Sequence, residues 1–369
     1  MGCSLRVLLA CHYRNKGGTE MYVWRLAHSL RDRGHDPVIG CHAGSWIEDL
    51  ARRDSITTSS LLPRNVGDLI GAVRVAAMLR RERFDLVHAH TGKLFAPLIL
   101  AARLARKPIV LTYHLTCGRS PFTSRAMCYA DSIIGVSDAV RNVLVQQCKL
   151  PPGKIRTLLT GIDLSLFRPL AGPRAELGKI GIQDGGPVFG AVNRLESVKR
   201  WDTFVHAAAL VKQSHPEARY VILGEGPDSP QVHQMRKDLG LEQEFFLPGF
   251  VDNVPEILPE LTALVLASDN EPFALVNLEA MASGIPVLAS AAGGNAESMV
   301  PGKTGLLFPV GDANALAGLM RQILDDPERT REMGQAGRLR AEQEFAESRM
   351  MDQYEELYRQ VIEESASKR

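Results

Sequence analysis

The stretch from Leu261 to Pro286 limits the fold most, because it carries a strand, a turn and a helix in one short span. Leu264-Val265-Leu266 is an apolar run of the kind found in a strand buried on both faces. The polar residues Ser268-Asp269-Asn270-Glu271 break it, and a helical pattern then runs from Pro272 to Met281. Pro272 suits a first helical position, and Gly284 suits a C-terminal cap. Pro286-Val287-Leu288 reads as the next strand, which completes a βαβ unit with short loops.

Two glutamates mark this unit, Glu271 where strand gives way to helix and Glu279 inside the helix. Eight helical steps put them roughly 12 Å apart along the axis and roughly a quarter turn apart around it. The paired carboxylates of a glycoside hydrolase lie about 5–9.5 Å apart, so this spacing does not suit them. It suits a long ligand lying beside the first two turns, with its anionic part near the helix N-terminus. From the residues alone, a surface glutamate and a packing glutamate remain the alternative.

The rest of the chain repeats the same alternation. In the first half, strands are expected at Leu5–Ala10, Pro37–Gly40, Asp85–His88, Pro108–Leu111 and Ser132–Val136. Helices are expected at Thr19–Arg31, Asp68–Arg83, Leu94–Ala105 and Asp138–Gln147. Loop-like proline and glycine between Pro169 and Pro187 precede a second alternation. It comprises strands at Val188–Val192, Tyr220–Leu223, Phe245–Leu247 and Gly305–Phe308, and helices at Trp201–Lys212, Ser229–Leu239 and Asn314–Asp325, with helical character from Pro327 to Glu364. At 369 residues the chain exceeds what one core serves. Two α/β domains, each a doubly wound parallel sheet, are expected to face each other across a cleft, with ligands beyond the strands' C-terminal ends.

Charge separates the halves. Residues 1–168 carry a net +12 and residues 169–369 a net −11, although the whole chain is only +1. The first half therefore suits an anionic partner. The start leads straight into a strand-like run rather than a secretory signal, and the longest apolar run, Ala96–Ala102, is too short to span a bilayer. The six cysteines, Cys3, Cys11, Cys41, Cys117, Cys128 and Cys148, form no CxxC pair and read as reduced cytosolic thiols.

Three further constellations can carry chemistry. Gly17-Gly18-Thr19-Glu20 opens the first helix, where free N–H groups bind phosphate, although a plain tight turn reads equally well. Arg194 and Lys199 follow a strand and can converge on a diphosphate, one as a planar fork and one as a point charge. His88, His90 and His114 stand at strand ends, where a doubly wound sheet opens its ligand crevice. No Asp-x-Asp pair is present to hold a divalent cation, nor a GxGxxG after the first strand, a P-loop or a GxSxG.

Asn270-Glu271-Pro272-Phe273, Leu278-Glu279-Ala280-Met281-Ala282 and Gly284-Ile285-Pro286-Val287 together resemble the E-x7-E signature of the retaining glycosyltransferases of family 4. The resemblance extends over nearly the whole chain, through Gly17–Glu20, Val87–His90, Val136-Ser137, Gly161–Asp163, Gly224–Pro227, Gly293–Glu297 and Gly305–Phe308. It implies the glycosyltransferase-B fold, two Rossmann-like domains. Residues 1–168 would bind the acceptor, 169–350 the nucleotide-sugar donor, and 351–369 would form a helix packing back on the first domain. It also implies roles. Glu279 would bind the ribose, Arg194, Lys199 and the backbone of Gly18 the diphosphate, and Glu271 with Pro272, Phe273, Ala274 and Leu275 the sugar. His114 would lie at the reacting centre, and Gly224, Phe250 and Val251 would border the base. Thr160, Asn193, Pro272 and Ala274 depart from residues common in that family, and Pro272 and Ala274 leave the hexose open.

The expected function is retaining, metal-independent and cofactor-free hexosyl transfer from a nucleotide sugar, UDP-linked first and GDP-linked next. The acceptor would be an anionic or lipid-linked glycan in glycolipid, lipopolysaccharide or exopolysaccharide synthesis. The enzyme would be cytoplasmic, with peripheral contact to an anionic membrane and no nucleic-acid partner. A soluble phosphosugar or small-molecule acceptor, or a nucleotide-sugar epimerase on the same fold, is the alternative.

Overall fold

The computed structural model describes residues 4–14, 17–183 and 185–367. The chain divides into two compact units, Met1–Leu159 with Met350–Arg369, and Thr160–Arg349. The first holds a seven-stranded parallel sheet of β1 (Arg6–Ala10), β2 (Asp36–Gly40), β3 (Thr57–Ser59), β4 (Leu86–Ala89), β5 (Ile109–Tyr113), β6 (Ser132–Gly135) and β7 (Ile155–Thr157), in the order β3-β2-β1-β4-β5-β6-β7. The second holds a six-stranded parallel sheet of β8 (Val188–Val192), β9 (Arg219–Leu223), β10 (Phe245–Gly249), β11 (Ala263–Leu266), β12 (Val287–Ser290) and β13 (Gly305–Phe308), in the order β10-β9-β8-β11-β12-β13. In each sheet the strand order reverses beside the unit's first strand, which opens a crevice at its C-terminal end.

The central strands are buried along nearly their whole length, as helices on both faces of a parallel sheet require. In the first unit the helix Gly18–Asp32 buries Tyr22, Val23, Leu26, Ala27 and Leu30 against the sheet. The last helix, Glu347–Ser367, adds Tyr354, Leu357, Tyr358 and Val361 to the same core. The second unit is centred on four rings, Phe189, Phe204, Tyr220 and Phe245, whose neighbouring centroids lie 5.2–6.2 Å apart.

Two helix expectations need correction. The helix expected from Pro272 begins at Leu275, because Pro272 and Phe273 lie in a turn ahead of it, and it ends at Ala282. Its C-terminus is capped as expected. The Gly284 and Ile285 amides donate to the Met281 and Ala280 carbonyls at 3.0 and 3.1 Å. The helical stretch from Pro327 to Glu364 is two helices, Pro327–Glu344 and Glu347–Ser367. The break arises because Ile162 takes over the hydrogen bonding there: its amide donates to the Phe345 carbonyl at 2.7 Å, and its carbonyl accepts from Glu347 at 3.1 Å. No proline or glycine marks this break. The helices Trp46–Arg53 and Pro121–Met127, and the strands β3 and β7, lie beyond the pattern read from the sequence.

Cys11, Cys41, Cys117, Cys128 and Cys148 are free thiols, and Cys3 lies outside the described residues. Among the described residues no helix is long and apolar enough to cross a membrane.

Candidate active site

Strands β8 and β11 are neighbours at the reversal point of the second sheet, and the loops that leave them carry the candidate donor-binding side chains. After β8 the chain runs through Asn193 and Arg194 to a short 3-10 turn, Ser197–Lys199. Arg200 then enters the helix Trp201–Lys212 from a left-handed conformation. That backbone is braced by Arg200, whose guanidinium bonds Asp202 at 3.1 Å and Asp269 at 3.3 Å. The Asp269 amide donates to the Val198 carbonyl at 2.9 Å, so the two loops are tied at both side-chain and backbone level.

Lys199 is thereby held against Glu271. Its ammonium lies 2.6 Å from the Glu271 carboxylate, with the side chains 25% and 11% exposed, so solvent screens the pair only weakly. Arg194 instead reaches Glu196, 2.9 Å away, and its side chain is 60% exposed. It also lines a cavity of about 860 Å³ with Leu195, Gly224–Pro227, Ser229, His233 and Leu247–Gly249. Phe250 and Val251 follow directly on that lining, and Phe250 is 51% exposed. Gly224 has φ +149°, and a β-carbon on it would lie 2.0 Å from the Asn193 carbonyl oxygen. The backbones of the Arg194 and Gly224–Pro227 loops thus touch, and only glycine permits that approach.

Glu271 is fixed in the same way from the other side. Its carbonyl accepts from the Gly294 amide at 2.7 Å, and a β-carbon on Gly293 (φ +53°) would fall 2.1 Å from that oxygen. Beneath this contact lies a buried polar cluster that the sequence reading missed. Asn277 donates to Ser298 at 3.1 Å, Asn295 to the Ser290 carbonyl at 3.0 Å, and Ser290 to the Ser268 carbonyl at 2.6 Å. The available signal was Asn277, a polar residue among Leu275, Val276 and Leu278 on a mainly apolar helix.

Phe273 and Ala274 are buried, and Phe273 packs on Phe345 at 6.0 Å between ring centroids, while Pro272 and Leu275 are half-buried. Glu279 is half-buried on the helix Leu275–Ala282, and its carbonyl accepts from Ser283. Because Glu271 precedes this helix, the helical spacing expected between the two glutamates does not apply. The second unit therefore pairs Lys199 with Glu271 and sets Arg194 beside Gly224.

Gly18 and His114 belong to the first unit. Gly18 is the first residue of its helix, after the extended Gly17. Glu20, three residues into the motif, is buried, and its carboxylate accepts from the Cys11 thiol at 3.4 Å. Burial raises both groups, Cys11 strongly. His114 follows β5 and meets His90, with Nε2 3.3 Å from Nδ1 and the two rings stacked. His88 bridges Thr112 at 2.7 Å and the Tyr358 hydroxyl at 2.6 Å, and its ring centroid lies 4.0 Å from that of His90. Burial holds all three imidazoles neutral: His114 is lowered to about 4 and His88 to about 3, and His90 lies well below its usual value. Tyr22, which bonds Tyr354, closes the stack edge-on to His114 at 5.0 Å.

Comparison with known proteins agrees with both sheets. Residues 174–340 match the family described as glycosyl transferases group 1, and residues 16–166 that described as glycosyltransferase family 4. N-acetyl-alpha-D-glucosaminyl L-malate synthase of Bacillus anthracis is 30% identical, covering 97% of this chain and 97% of that protein. Alpha-maltose-1-phosphate synthase of Mycolicibacterium smegmatis is 31% identical, covering 76% and 80%. Among solved structures, Anabaena Alr3699/HepE in complex with UDP superposes with a TM-score of 0.86 at 23% identity, over 96% of this chain and 99% of that one. Two parallel α/β sheets, these family matches and a 30%-identical relative aligned almost end to end lead to one conclusion: the chain belongs to glycosyltransferase family 4, with the glycosyltransferase-B fold, and is a hexosyltransferase.

Proposed function

We propose that this enzyme moves a hexosyl group, with retained anomeric configuration and without a metal, from a nucleoside diphosphate sugar to the hydroxyl of a small anionic acceptor. The observation that carries the reading is the Lys199–Glu271 pair at 2.6 Å, set at the strand-order reversal of the second unit. As the donor's glycosidic bond breaks, negative charge gathers on the leaving diphosphate. A preset ammonium stabilises it there without reorganisation, and Arg194 adds a second cation. Glu271 aims Lys199 and borders the sugar with Pro272 to Leu275, Glu279 takes the ribose, and Gly224, Phe250 and Val251 line the base. In the first unit Gly18 offers backbone donors to the diphosphate. His114, a neutral imidazole that can donate a hydrogen bond, is the side chain of that unit we assign to the chemistry.

UDP is the first choice of nucleotide, in line with the UDP complex of the Anabaena neighbour, and GDP the next. For the acceptor, the products named for the two relatives are small and anionic, one a conjugate of malate and the other a sugar 1-phosphate. The net +12 of residues 1–168 suits the same chemistry. A lipid-linked anionic acceptor is the second reading, which the same positive charge of residues 1–168 also suits.

The test is a transfer assay with UDP- and GDP-sugars against dicarboxylates and sugar phosphates, with the product's anomeric proton read by NMR. Lys199→Ala should lower kcat by about 10²–10³ while the protein stays folded. Unchanged transfer by this variant, or an inverted product, would overturn the mechanism. Isomerised donor in the absence of acceptor would point to an epimerase instead.

A further inference from the structure

The helix Leu69–Arg81 is apolar on two sides. Ala72, Val75, Ala76 and Leu79 are buried, yet Leu69, Ile70 and Val73 are 63%, 69% and 56% exposed. With Val66 ahead of them, these residues repeat at the i, i+3, i+4, i+7 spacing of an apolar stripe. A stripe of this kind normally faces a core; this one faces outward. Across from it, Phe122 and Tyr129 are 65% and 64% exposed. Between the two sides runs a groove of about 470 Å³, floored by Pro97, Ile99 and Leu100 and edged by Arg103 and Arg125.

The charge around the groove has one sign. The helices Leu69–Arg81, Phe95–Ala105 and Pro121–Met127 carry five arginines and no carboxylate. Residues 61–130 contain 11 basic and 3 acidic side chains, and each acid is already engaged. Asp68 accepts from the Arg64 and Gly71 amides, Asp85 accepts from the Arg6 amide, and Glu82 pairs with Arg6 and Arg81. Arg103 is partly taken up by Asp131, whereas Arg74 projects from the exposed side of its helix beside Val73.

We propose that this face docks on an anionic phospholipid bilayer. Leu69, Ile70, Val73, Phe122 and Tyr129 enter the boundary between headgroups and acyl chains, and Arg74, Arg103 and Arg125 meet the lipid phosphates. The combination selects this occupant. Apolar side chains need a water-free medium, and a run of arginines without carboxylates needs negative charge beside it. A second copy presenting the same face would oppose arginine with arginine. The inference stands apart from the choice of donor and acceptor.

The test is flotation of the full chain with vesicles of phosphatidylcholine alone and of phosphatidylcholine with one quarter phosphatidylglycerol. The protein should float with the anionic vesicles only, less at high salt. Ile70→Glu and Phe122→Glu, both at exposed positions, should lower the partition coefficient about tenfold each, with unchanged melting and UDP binding. Arg125→Glu, which removes one positive charge and adds a negative one, should lower it about 25-fold, at about fivefold per charge. Absence of flotation on anionic vesicles, or variants that float like the parent, would overturn the proposal. So would a concentration-dependent dimer in sedimentation equilibrium that these substitutions abolish, because the face would then belong to a second copy.

Discussion

Replacing Gly293 by alanine tests whether the backbone position of Glu271 matters for transfer. The new β-carbon would sit 2.1 Å from the Glu271 carbonyl oxygen, where real contacts essentially never fall below 3.0 Å, so the loop has to move by about 1 Å. The left-handed conformation of Gly293 (φ +53°) costs an alanine about 1–2 kcal/mol, and the lost Gly294–Glu271 hydrogen bond about 1 more. A total of about 2–3 kcal/mol lowers the melting temperature by about 4–12 °C. A misplacement of about 1 Å lowers kcat/KM by about 10². Gly302→Ala is the control, because its φ is +79° and nothing lies within 4 Å of the added carbon. It carries the backbone cost alone and should transfer within about twofold of the parent. Thermal unfolding and a UDP-sugar transfer assay on both variants decide the matter. If Gly293→Ala melts and transfers like Gly302→Ala, the close approach does not position Glu271.

Acid should destabilise the first unit. Its buried histidines titrate near 6.5 when unfolded but at about 4 (His114) and about 3 (His88) when folded, so the unfolded chain binds protons first. Each therefore removes about 1.4 kcal/mol of stability per pH unit as pH falls from 6.5 towards its folded value; urea unfolding that is flat from pH 7 to 4.5 contradicts this. Tyr358→Phe strips the partner from His88 Nδ1 and should cost about 1–3 kcal/mol, measured by thermal unfolding, whereas an unchanged melting point would mean that the 2.6 Å contact contributes nothing.

What the sequence made legible was periodicity. β8, β13 and the helix Trp201–Lys212 appear with the boundaries read from the residues, because apolar runs between clear breakers leave little choice. The two edge strands of the first sheet were hidden for the opposite reason. Thr57–Ser59 and Ile155–Thr157 are three residues long, too short to show alternation. The start of the helix at Leu275 was also hidden, since the pattern from Pro272 is helical but Gly294 captures the Glu271 carbonyl and keeps the intervening residues in a turn. The pairing of Lys199 with Glu271 needed two loops 72 positions apart to meet, a contact that strand order alone creates. The Asn277–Ser298 cluster shows the same limit: Asn277 stands out among its apolar neighbours, but only packing reveals Ser298 as its partner.

The return of the last helix to the first unit has a consequence for biosynthesis. The first sheet is complete once Leu159 has been made, but Tyr354 and Tyr358, part of its core, come only after Thr160–Arg349. At about 5–20 residues per second, that insertion takes on the order of 10–40 s to leave the ribosome. During this interval the apolar surface that the two tyrosines later cover stays open, and His88 lacks the hydroxyl that satisfies it. The second unit, contiguous in the chain, finishes folding first, and the amino-terminal unit closes last. The nascent chain therefore stays exposed to aggregation until the helix Glu347–Ser367 has been made.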